Sequence, residues 1–516
     1  MPASVLAVGL DAASAELITS WAAAGELPVF AELERVAVRL SLANSLRTLP
    51  GAIWPEITTG VSCGRAPQYY HARQLHTGEA RPRPISVEDK DPESYYWSVA
   101  SRAGKRVAVL DQPQTVAVSN LNGIQLFEWG LHDRNFSVSS VPGSLLHEIN
   151  RKYGPHPVAS CDTHGETTGG YLKLAQDLLI GVSRKTDILL DLIDRDHWDL
   201  FTCAYSESHC VGHQFWHFGD ATHRLYAPDA PRQLKTAILD IYKRIDQGLG
   251  RLIERAGSRA TTLVYCSHGM GSYIGGYQLL PEFLRRLGLS SDRGRARTDN
   301  LVQRVQHRLH HMPRGWQPLF RSASQWPAVK YVQAGAGVMV APLESAETKA
   351  VALKNNRCGA IRLNLAGREP RGQVSPGSEA DGLLERIRSE LYALRHADSN
   401  ECIIEQVLTA EEVFGPEHHP DVPDLMVVFR SDLGPLEACQ SENLGTICSP
   451  LYHPLTPRTG DHTLSSCLWL FGPGIGSRRQ VGPADANVLD IAPTILDLLR
   501  VGAPRSMDGQ SLMQRL

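Results

Sequence analysis

The chain has 516 residues, long enough for two or three domains with sizeable buried cores, and its 42% hydrophobic and 21% charged residues exclude wholesale disorder and fibrous classes. Lys and Arg number 52 against 55 Asp and Glu, so a net charge of −3 supplies no global field toward nucleic acid or an anionic membrane. The ten cysteines show no C-x-x-C spacing, which argues against a zinc ribbon or a disulfide framework and reads as buried thiols.

The N-terminus has no basic stretch and meets Asp11 before any long apolar run, so no secretory signal is read. No run approaches the ~20 apolar residues that span a bilayer, and the expected location is the cytoplasm. Strands are predicted at 4–10, 35–42, 106–111, 199–205 and 261–267, with helices over 14–34, 172–195 and 231–256. Buried apolar runs separated by helices predict an α/β fold, a doubly wound, mainly parallel sheet with helices on both faces. Between about 280 and 415 the composition shifts: 290–316 is basic and polar, 329–364 reads as extended strands, and a helix is predicted from 378 to 395. The basic run suits either a solvated face or an anion-binding surface. Strands at 423–429 and 465–475 and a helix over 487–500 then return to the core. The expectation is a discontinuous catalytic core, 1–280 and 416–516, with an inserted α+β cap over 281–415.

The residues suited to chemistry sit at predicted strand ends, the edge where α/β proteins place ligands. Asp11 ends the first strand, where an Asp also serves as a helix N-cap. Four residues separate His209 from His213, so a helical turn points both imidazoles to one side and suits capture of a metal; His217 continues the row. His268 follows the strand at 261–267, and His462 lies in the turn before 465–471. Each histidine alone is better explained as a hydrogen-bonded structural residue than as a ligand; their shared placement with Asp11 at strand ends shifts the balance toward convergence on one site.

LAVGLDAAS, the Thr-Gly of WPEITTG, the His209/His213 pair, SHGMG, GDH followed by LFGPGIG, and the closing VLDIAPTILDLL and MDGQSL resemble, in order, the alkaline phosphatase superfamily. The nearest likeness is to its type I phosphodiesterase/nucleotide pyrophosphatase-like branch of phosphohydrolases and phosphomutases; the segment IRLNLAGREPRG is similar to one found there. The resemblance implies an alkaline phosphatase-like fold and a pair of divalent metals, zinc above all with manganese or iron as alternatives, clamping a phosphate ester for in-line attack by a Thr or Ser. By position it implies His213 and His462 on one metal, Asp11 and His268 on the other.

Three positions depart from that pattern. His209 replaces an Asp and is kept as a ligand; Ser267 replaces an Asp and ligates poorly, leaving one or two metals per chain open. Pro50 falls where the nucleophile belongs, which moves the role to Thr48, with Ser45 and Thr58 behind it. Without a side-chain nucleophile, water at the metal attacks with Glu207 or Glu56 as base. Arg362, Arg368 and Arg371 fit phosphate oxygens by their forked guanidinium geometry, and Trp129, His132 and Asp133, with Tyr69, Tyr70 and His71, form polar-aromatic clusters suited to a leaving group.

These features together predict a metal-dependent hydrolase of a small phosphate mono- or diester. The alternatives are a sulfatase, phosphonate hydrolase or phosphomutase on the same clamp, or a non-catalytic metal- and phospholigand-binding member. No nucleic-acid polymer or membrane partner is expected, and homo-oligomerisation stays open.

Overall fold

A computed structural model describes residues 3–66, 73–79, 83–130, 136–158, 161, 167–291, 343, 346–353, 355, 357–448, 458–475, 480–481 and 486–516. The chain forms two compact units, one of Met1–Ala72, Ile85–Tyr273 and His453–Leu516, the other of Arg73–Pro84 and Ile274–Tyr452.

The first unit is built on a nine-stranded sheet. Its order is Gln480–Val481, Val38–Ser41, Cys467–Phe471, Thr261–Cys266, Ala3–Leu10, Trp198–Tyr205, Val107–Leu110, Gly123–Phe127 and Ser139–Val141. The central strands pair in parallel, while Cys467–Phe471 runs antiparallel to both neighbours. Side chains alternate across the pleat, and here both faces are apolar. Leu6, Val8 and Leu10 join a core formed with the helices Ala15–Ala23, Pro28–Val36, Thr168–Ile193, Glu207–Gly219 and Ala237–Ala256. Val5 and Ala7 join a second core with the helices Ile53–Thr59, Tyr96–Arg102 and Ile491–Leu498. That two-sided burial explains why the strands read as unbroken apolar runs; each fully buried Leu or Ile contributes ~2 kcal/mol.

The predicted helix over 14–34 is two helices, because the chain reverses at Gly25 with φ +77° and Pro28 starts the second. The run at 423–429 was expected in the core sheet. Its strand, Leu425–Phe429, instead lies between Gly359–Leu363 and Ile404–Thr409 in a four-stranded antiparallel sheet of the second unit, which Ala350–Leu353 completes. The helices Leu280–Arg286 and Ser378–Tyr392 pack on this sheet around Phe283, Ile361, Ile387 and Val427. The second unit therefore runs on past residue 415 to Tyr452 and includes the excursion 73–84. The basic stretch 292–315 and the expected strand at 329–342 lie outside the described residues.

Candidate metal centre

Three strands of the first unit end level with one another: Leu10 stands beside Tyr205 on one side and Cys266 on the other. Their next residues, Asp11, Ser206-Glu207 and Ser267-His268, therefore emerge side by side at one sheet edge. The helix Glu207–Gly219 starts at this edge, and an antiparallel hairpin pairs Gly269–Ser272 with Gly460–Thr463, setting His462 opposite Met270. Helix and hairpin approach closely because Gly460 has no side chain: a Cβ there would meet the carbonyl oxygen of Gly212 at 2.2 Å.

That approach brings three imidazoles together. The Nε2 atoms of His209 and His462 are 3.0 Å apart, those of His213 and His209 3.1 Å, and those of His213 and His462 3.1 Å, and all three residues are buried. Three nitrogens at these distances cannot all hydrogen-bond to each other. Each contact needs one N–H and one lone pair, and among three atoms at least two are alike. His213 is the best defined, since its Nδ1–H donates to the carbonyl of Gly460 at 2.7 Å, which leaves the lone pair on Nε2 facing the other two rings. A shared cation resolves the conflict: tetrahedral Zn–N bonds hold ligand nitrogens about 3.3 Å apart. The residues fit one divalent metal, and among the described residues no other three His, Cys, Asp or Glu side chains converge in this way.

A second metal is less well provided for. Asp11 accepts the indole N–H of Trp54 at Oδ1, 2.7 Å away, and its carbonyl accepts the hydroxyl of Ser208. Ser267 offers no carboxylate; its Oγ lies 3.0 Å from His268 Nδ1 and 3.4 Å from Asp11 Oδ1. His268 packs edge-on against His462 with ring centroids 4.2 Å apart but stays outside the three-nitrogen group, and burial pushes its pKa down to about 3. His217 turns away to Thr459, 3.0 Å from its Nδ1.

The expected nucleophiles are engaged elsewhere. Thr48 donates its hydroxyl to the carbonyl of Ser45, Thr58 to that of Trp54, and Ser45 to the carboxylate of Glu56, which burial holds above its ordinary pKa. Glu207 does not serve as a base at the three histidines. Its carboxylate faces Lys185 at 3.3 Å and His156 at 3.1 Å, and although burial alone would raise its pKa, these partners hold it below the ordinary value. Lys185 also meets Asp111 at 3.3 Å, and Asp111 accepts the backbone N–H groups of Trp129 and Gly130. This buried ionic cluster ties three strand ends together and pins the start of the helix that carries His209 and His213.

Of the substrate contacts expected from sequence, Trp129, Arg362 and Arg368 are engaged by protein partners. Trp129 is buried, its ring edge-on to His156. Arg362 is wholly buried, donating to Glu369, the carbonyl of Pro420 and Thr77, while Arg368 forks onto both oxygens of Asp424 at 2.8 Å. Both guanidinium groups are engaged inside the second unit, where each of their nitrogens already donates to a protein acceptor. His132, Asp133, Tyr69, Tyr70 and His71 lie outside the described residues. Sequence reasoning missed Trp54, Asp111, His156 and Lys185. Only Lys185 left a trace there, as a charge in the helical row of Leu178, Val182, Leu189 and Leu192.

A family model described as type I phosphodiesterase / nucleotide pyrophosphatase matches residues 5–435. No curated protein sequence matches the chain. Among solved structures, the chain is similar to phosphonoacetate hydrolase from Sinorhizobium meliloti 1021 in complex with phosphonoformate, with a TM-score of 0.50 and 11% identity over 97% of this chain and 96% of that one. It is also similar to the wild-type alkaline phosphatase PafA, with a TM-score of 0.50 and 13% identity over 99% and 98% of the two chains. At such identities the likeness is one of fold.

Proposed function

The chain belongs to the type I phosphodiesterase / nucleotide pyrophosphatase family, and from that membership we propose that it hydrolyses a phosphodiester at one divalent metal held by His209, His213 and His462. Phosphoester hydrolysis comes with the family; the single metal, its identity and the preference for a diester are our reading. The observation that carries it is the convergence of three Nε2 atoms within 3.1 Å, which protein hydrogen bonds alone cannot satisfy. When bound, the ion supplies positive charge against the charge that develops on the phosphoryl oxygens. The all-imidazole set supports zinc, with manganese and iron as alternatives.

The protein's own groups set the rest. Gly460 orients His213 through Nδ1, and Asp461 accepts the backbone N–H of His462 at 2.8 Å. Asp11 and Asp461 are both buried at this edge, so one divalent ion offsets just their two charges. A singly charged diester then meets less repulsion than a doubly charged monoester. With the hydroxyls of Ser45, Thr48 and Thr58 donating to protein acceptors, we assign the attacking oxygen to water. Ten thiols, eight of them buried, support a reducing, cytoplasmic setting, and no helix among the described residues is long and apolar enough to cross a membrane.

The test compares a chromogenic phosphate diester with its monoester, with and without a chelator, on wild type and His213→Ala. The expected result is a higher kcat/KM for the diester, with loss of turnover on chelation or on substitution. Turnover that survives both treatments, or a preference for a sulfate or phosphonate ester, contradicts the reading.

A further inference from the structure

We infer that the position beside the three-histidine centre is a site for a phosphoryl oxygen, in which His268 Nε2–H donates to the substrate, and not a second metal site. This deepens the reading above and rests on it. The Oγ of Ser267 accepts the backbone N–H of Ala12 at 3.3 Å and has a single proton to give. Three acceptors surround it: the carbonyl of Leu10 at 3.4 Å, Asp11 Oδ1 at 3.4 Å and His268 Nδ1 at 3.0 Å. An O–H donor ordinarily sits about 2.5 to 3.0 Å from its acceptor, so the two contacts at 3.4 Å are long and weak, and the one to His268 Nδ1 at 3.0 Å is the shortest of the three. The proton therefore goes to His268 Nδ1.

A neutral imidazole that accepts at Nδ1 carries its own proton on Nε2. That nitrogen is buried and has no hydrogen-bond partner among the described residues, while its ring lies against His462. An N–H in this position repels a cation and suits an anionic oxygen. A carboxylate in place of Ser267 would do the opposite, accepting a proton from Nδ1 and leaving the lone pair on Nε2 for a metal. Asp11 alone does not complete a metal site either: with no carboxylate at Ser267 and a proton on His268 Nε2, it is a single side chain where a metal takes three or four. One residue, Ser267, thus turns a ligand position into a donor position.

The experiment measures metal atoms per chain and, by titration calorimetry on the metal-loaded protein, the affinity for inorganic phosphate. Wild type, His268→Ala, His268→Gln and Ser267→Asp are compared, with circular dichroism to confirm folding. Wild type is expected to hold one metal. His268→Ala should keep that metal but bind phosphate at least about tenfold more weakly, the worth of a hydrogen bond to a charged group, and His268→Gln, whose amide still donates, should recover part of the loss. Ser267→Asp is expected to raise the metal content toward two. Two metals in wild type with one lost in His268→Ala, or one metal with phosphate affinity unmoved in His268→Ala, overturns the inference while leaving the three-histidine centre standing. No metal in wild type overturns that centre and this inference with it.

Discussion

At the level of single residues, the chemistry open to this sheet edge depends on which side chains are already committed to protein partners. Lys185 shows how strongly. Burial alone would push its ammonium toward neutrality, but Glu207 and Asp111 outweigh that and keep it charged. Replacing it by Met leaves two buried carboxylates without their cation, and Lys185→Met is expected to lose ~3–5 kcal/mol of stability in denaturant unfolding. A loss below about 1 kcal/mol, the worth of an exposed pair, would mean that the cluster is not the closed, buried network described. His209, His213 and His462 were legible in the sequence because each follows or precedes an apolar strand and two of them share a helical row. Trp54 was not, since no spacing rule pairs an indole with Asp11 across 43 residues. Arg362 and Arg368 misled for a related reason: a guanidinium that suits phosphate suits a carboxylate equally, and Glu369 and Asp424 were there first.

At the scale of elements, the centre exists because the helix Glu207–Gly219 and the strand Gly460–Thr463 come close enough for a side chain of one to bond the backbone of the other. A methyl group at residue 460 collides with backbone, which cannot swing aside as a side chain can. Gly460→Ala is therefore expected to part the two elements, break the His213 Nδ1 bond and weaken metal binding about 10- to 100-fold, read by competition with a chromophoric chelator. Affinity equal to wild type would show that the hairpin does not orient His213. The strands Ala3–Leu10, Trp198–Tyr205 and Thr261–Cys266 matched their apolar runs within a residue or so, since two-sided burial makes a short strand apolar along its whole length. Leu425–Phe429 gave the same signal from the other unit: an apolar run records burial, not the sheet that does the burying.

At the scale of the whole molecule, the order of strands places every proposed ligand at one edge of one sheet, although His209 and His462 are 253 residues apart in the chain. The α/β class was legible from the alternation of apolar runs and helices. The extent of the second unit was not, because it closes through pairings such as His76 with Asp421 and Arg362 with Thr77, which are remote in sequence and leave no local pattern. We propose that this topology assembles one metal centre, of three histidines, and that the neighbouring Asp11 is not a ligand. The direct measurement is the metal content of the purified, metal-reconstituted protein, in atoms per chain, for wild type, His213→Ala and Asp11→Ala. One atom in wild type, none in His213→Ala and one in Asp11→Ala is the predicted result. Two atoms in wild type with one lost in each variant, or none in wild type, would contradict it.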